Sequence, residues 1–149
     1  MKILGVVTVF CSLCLAGCLA HSAGREMLSR QVNVFGIEFQ SGVDYREIAG
    51  ETGTDEPCLR GYERSFDRLG IAIGYGFDRH IRKITTRNPA TSLFGVRPGM
   101  AAGEGARLLR QAGLTEGESP RSYRGEGFTV TLLLDGAGTI FGITAEADE

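Results

Sequence analysis

The chain has 149 residues and a formal net charge of −2, so it is long enough for one domain or two very small ones and lacks the basic excess of a nucleic-acid-binding surface. Its 42% apolar and 23% charged residues exclude an intrinsically disordered chain.

Lys2 gives the N-terminus a positive charge, and residues 3–14 are almost unbroken apolar before Leu15-Ala16-Gly17-Cys18. A signal peptide ends in small residues of this kind. The run is short of the roughly 20 residues a membrane span needs, and His21, Ser22, Arg25 and Glu26 follow at once. Leu15 to Cys18 resembles the lipobox of bacterial lipoproteins. The resemblance implies a signal peptide over residues 1–17, cleavage between Gly17 and Cys18, and a diacylglyceryl thioether on Cys18 carrying fatty chains such as palmitate. It implies a cell-envelope protein held to a bacterial membrane on the extracytoplasmic side. Cys11 and Cys14 would leave with the signal peptide. Cys58 is then the one free thiol of the mature chain, expected as a small buried apolar residue.

Residues 18–31 read as a lipidated tether. From Val32 the chain repeats itself at a spacing of 59 residues: Phe35-Gly36-Ile37 against Phe94-Gly95-Val96, and Ile84-Thr85 against Ile143-Thr144. Residues 32–90 and 91–149 are the two expected repeats. In the first, Asp44-Tyr45-Arg46-Glu47 is a capping-box pattern that predicts a helix from Asp44, ended by Gly50 or Gly53. Period-two alternation predicts a strand over 71–77, with Ile71, Ile73, Tyr75 and Phe77 on one face, and a second over 81–85. In the second repeat, Arg107 to Ala112 predicts a helix stopped by Gly113, with Tyr123 after it as Tyr62 follows the first. A strand over 128–134, a turn at Asp135-Gly136-Ala137-Gly138 and a strand over 139–144 complete it. The expected fold is α+β: two tandem helix-plus-three-strand repeats forming one antiparallel sheet, with helices on one face. Leu109, Leu132 and Ile143 are expected in the core.

Phe94-Gly95-Val96-Arg97-Pro98-Gly99-Met100, a helix, Tyr123 and a strand ending in Asp135-Gly136 resemble the BamE-type (SmpA/OmlA) envelope lipoproteins and the repeats of β-lactamase inhibitor protein. The resemblance implies a helix opened by a Pro-Gly-Met turn and packed on an antiparallel sheet. Those families carry Thr or Ser after the Met as a helix cap, where this chain has Ala101-Ala102.

Beyond Cys18 the chain has no Gly-x-Ser-x-Gly, Cys-x-x-Cys or His-Glu-x-x-His. Gly70 to Gly76 is glycine-rich but alternates like a strand, and no helix follows to hold a phosphate. His80, beside Asp78 and Arg79, reads as a solvated turn, and Asp55-Glu56, Glu116 and Glu118 as solvated loops. The reading is therefore a non-enzymatic protein-binding or assembly module on a membrane surface, with no cofactor, metal or nucleic acid and with an envelope protein as partner. The alternatives are an inhibitor of an envelope or extracellular enzyme, and a small hydrolase or metal-handling protein. Aromatic and arginine side chains carry most interface energy, which makes Tyr62, Arg64, Tyr75, Arg82 and Tyr123 the candidate contact residues.

Overall fold

The computed structural model describes residues 31–148. The expected signal peptide, the expected cleavage site at Gly17 and Cys18 and nearly all of the expected tether lie outside them. Among the described residues the elements are β1 (Val32–Asn33), β2 (Glu47–Ile48), β3 (Glu51–Thr52), β4 (Thr54–Cys58), β5 (Gly61–Phe66), β6 (Ile71–Gly76), β7 (Ile81–Thr86), β8 (Ser92–Leu93), α1 (Ala102–Gln111), β9 (Thr115–Glu116), β10 (Ser122–Arg124), β11 (Phe128–Leu134) and β12 (Ile140–Ala147). Eight strands form one antiparallel sheet in the order β4-β5-β6-β7-β12-β11-β10-β9. The chain is thus mostly β, with one helix among the described residues. The expected α+β fold of two helix-plus-three-strand repeats is not formed.

The first expected helix fails for identifiable reasons. Residues 47–52 fold into the β2–β3 hairpin, turned by Ala49 and Gly50 at φ 47° and 76°. The segment has two glycines and two β-branched residues within ten positions, poor helix material. The Asp44 carboxylate, expected to cap a helix, instead accepts from Arg46 and Arg64. Two further strands, β4 and β5, went unpredicted between residues 54 and 66. β4 is exposed throughout and contains Pro57, tolerable in an edge strand.

What does recur at the 59-residue spacing is a set of backbone bonds. Gln40 N donates to Ile81 O and Ile81 N to Ser41 O; Gly99 N donates to Ile140 O and Ile140 N to Met100 O. Phe35-Gly36 and Phe94-Gly95 share left-handed φ values of 50°, 73° and 53°, 77°. A bulge interrupts β6–β7 at Gly74/Tyr75 and β11–β12 at Leu133/Leu134. The first bulge, just before the turn, leaves Phe77 outside the apolar row expected for it, 82% exposed.

One face of the sheet is covered by α1, the β1–β8 ribbon and the loops of residues 34–45. Between them lie Ile73, Ile84, Leu109, Val130, Leu132, Ile140 and Ile143, all buried. Phe94 stacks on Phe128 at 5.3 Å, and Phe39 meets Phe128 edge-on at 6.4 Å. Helix α1 has no side-chain cap at Ala101; the Gly138 carbonyl of the β11–β12 turn accepts from the Ala102 amide instead. That bond replaces the Thr or Ser which the resemblance would place there. Gly105 lets the helix approach the sheet, because a Cβ there would stand 2.5 Å from Ile140 Cδ1. Leu109→Ala or Leu132→Ala is expected to cost about 2–5 kcal/mol, since neither site can refill from solvent. Denaturant unfolding checks this; a loss within about 0.5 kcal/mol is the surface value and would place them outside the core.

Candidate binding face

The opposite face of the sheet carries neither α1 nor the β1–β8 ribbon. Strand register places Thr54, Ser65, Ala72, Thr85, Thr144, Thr131 and Ser122 opposite one another in a single row across seven strands. Every member is small, and six of the seven carry a hydroxyl. At the centre, the Thr85 and Thr144 hydroxyls share a hydrogen bond of 3.0 Å. Ser122 is buried and its hydroxyl donates to the Ser119 carbonyl; across the other six strands a spacing of about 4.8 Å makes a strip roughly 24 Å long, with only small side chains in the row.

The neighbouring row on the same face is charged and reads Glu56, Glu63, Gly74, Lys83, Glu146, Thr129 and Arg124. Lys83 Nζ bonds Glu63 at 3.0 Å, and Arg60 lies 3.9 Å from Glu146. Beyond this row opens a groove of about 950 Å³, floored by Gly74 and Gly76 and walled by Leu59, Phe77, Arg82 and Lys83. Arg82 bonds the Asp78 carboxylate, which lies below the ordinary carboxylate range, chiefly because it accepts the His80 amide. His80 Nδ1 is 3.4 Å from Asp78, and no group of three or more potential metal ligands occurs among the described residues.

The residues expected to make contacts are mostly elsewhere. Arg64, Tyr75 and Tyr123 are buried on the covered side of the sheet, so they cannot offer a surface to a partner. Tyr62 is half-buried on that side too, and Arg82 is half-exposed at the groove. Three of them do come together, as an interior device. Tyr62 and Tyr75 stack at 4.8 Å, with the Arg64 guanidinium 5.5 and 5.4 Å from their ring centres. Arg64 forks onto Asp55, bonds Asp44, and donates to the Tyr45 carbonyl at 2.9 Å. The Tyr75 hydroxyl accepts from the Tyr45 amide at 3.0 Å, and burial pushes its pKa up. These bonds clamp the loop of residues 44–46 onto the sheet. Cys58 is exposed at the end of β4, against the burial expected for it. Asp55-Glu56, expected in a loop, lies in β4, and Glu116 in β9.

Comparison of the chain with family models, curated proteins and solved structures returns no match.

The hydroxyl row was not foreseen. Thr85, Thr131 and Thr144 alternate with apolar neighbours in predicted strands, which already put them on one face. The row became a surface only with β4 and β5, whose polar sequences carry weak strand signals.

Proposed function

We propose that this chain is a lipid-anchored envelope protein acting as a non-enzymatic binding or assembly module. In this reading it is held at an extracytoplasmic membrane surface through Cys18 and presents the open face of its sheet to a protein partner. The observation that carries the reading is the row from Thr54 to Thr131, left open among the described residues. Its small side chains let a partner's surface approach across six strands, and its hydroxyls supply donors and acceptors without buried charge. The anchor confines the module to two dimensions, which raises effective concentration and lets a modest interface suffice. The resemblance to the BamE-type lipoproteins agrees with such a role. The groove beside the row favours a second reading: it has room for a protein loop, as an inhibitor of an envelope or extracellular enzyme needs.

Thr144→Arg tests the proposal. The side chain projects from the centre of the open face, so the fold accommodates an arginine there, while an unpaired charge in the middle of an interface costs at least about tenfold in affinity. Proteins that co-purify with the wild type should be depleted with Thr144→Arg at unchanged melting temperature. An unchanged set would remove the open face from consideration.

A further inference from the structure

The two most exposed large apolar side chains among the described residues line the same groove. Leu59 is 98% exposed in the β4–β5 turn and Phe77 82% exposed in the β6–β7 turn. Gly61 pairs with Gly76, so both turns lie at the same end of the sheet. The opposite end has turns at residues 67–70, 87–91 and 135–138, none bearing an exposed large apolar side chain. The asymmetry is therefore between two ends of one sheet.

Cations accompany the apolar tips. Arg60 follows Leu59 directly, and Arg79 sits two residues after Phe77 at the turn apex, φ 62°. Arg82 and Lys83 lie behind them on the groove. Acidic groups stand at this end as well: Asp78 is bonded by Arg82, Glu63 by Lys83, Glu146 faces Arg60, and Asp148, on the groove, accepts from the Thr129 hydroxyl. Glu126 lies in the β10–β11 turn at the same end. Apolar tips with arginines one or two residues behind match a bilayer edge, where the apolar group enters the acyl boundary and the guanidinium stays at anionic headgroups.

We infer that the Leu59 and Phe77 turns dip into the bilayer surface and fix the orientation of the domain on it. The inference rests on the anchored reading above for the presence of a membrane. Fourteen residues, 18–31, span at most roughly 45 Å, and an anchor at their far end does not by itself fix which side of the domain meets the membrane. With the tips inserted, the strands stand up from the membrane and the hydroxyl row runs across them, parallel to the bilayer and open to one side.

Cys58, adjacent to Leu59 and exposed, provides the probe. The mature acylated chain is labelled there with an environment-sensitive fluorophore and reconstituted in phosphatidylethanolamine–phosphatidylglycerol vesicles, with and without brominated acyl chains. A blue-shifted emission quenched by the brominated lipid is expected. Leu59→Asp with Phe77→Asp should return the emission to its aqueous position and abolish quenching, with the far-UV circular dichroism unchanged. Water-like, unquenched emission from the wild type would overturn the inference. So would shielding that develops only when another protein is added, which would assign the tips to a protein pocket. The mass of the same preparation shows whether Cys18 is acylated, so failure of the anchor and failure of the tips are read separately.

Discussion

Replacing Arg64 with alanine is expected to lower the stability of the domain by about 2–3 kcal/mol and to flatten its acid limb. The guanidinium is buried, and all its bonds run to the loop of residues 44–46 or to Asp55 on the edge strand. Alanine would leave a gap between Tyr62, Tyr75 and the hairpin, and the loop would lose its clamp. Breaking a fully buried pair costs about 3–5 kcal/mol. Asp44 and Asp55 are about half exposed and rehydrate once the partner is gone, so the smaller figure applies. Arg64 hydrogen bonds hold both carboxyls below the ordinary carboxylate range. Their contribution is therefore fully present above the unfolded value near pH 4 and is lost as pH falls through the lowered folded values. Without Arg64, Asp55 loses its largest pKa-lowering bond and Asp44 keeps only the bond from Arg46, so most of that slope disappears. Urea titrations of both proteins across the acid range measure it. A loss within about 0.5 kcal/mol, with the acid limb unchanged, would show that the cluster holds nothing together.

Cys18→Ala is expected to abolish membrane retention altogether and to leave the precursor uncleaved at Gly17. The thioether would be the covalent link to lipid, and alanine offers no thiol on which to build it. A tagged fatty acid fed to cells reads the outcome: label on the wild type and none on the variant. Equal label on both would end the lipobox reading. The effect is all-or-none, because the Leu59 and Phe77 tips bury too little apolar surface to hold the domain by themselves.

The parts of the fold that could be read from the sequence are those with strong local periodicity. β11 spans the predicted 128–134, and β7 the predicted 81–85 with one residue more. Helix α1 ends at the expected stop, with Gly113 beyond it at φ 89°. Leu109, Leu132 and Ile143 are buried as their spacing required. The failures have a common cause. Residues 44–66 are organised by Arg64, whose partners lie 9, 19 and 20 residues away. A local pattern such as a capping box does not register a buried cation that recruits the capping carboxylate. For the same reason Arg64 and Tyr75 were read as contact residues: arginine and tyrosine are common in interfaces and equally suited to a stacked interior pair. The pairing of Tyr62 with Tyr123 also fails on register. Tyr123 opposes Val130, whereas Tyr62 opposes Tyr75, beside the bulge.

The most direct test of the open sheet face as the binding surface is site-specific photo-crosslinking in living cells. A photoreactive amino acid is placed at Thr144, in the centre of the hydroxyl row, and in a second strain at Arg107, on α1 on the other side of the sheet. The account predicts a discrete crosslinked product of defined mass from position 144 and none from position 107. Crosslinks from position 107 with none from position 144 would contradict it and move the binding surface to the helical side.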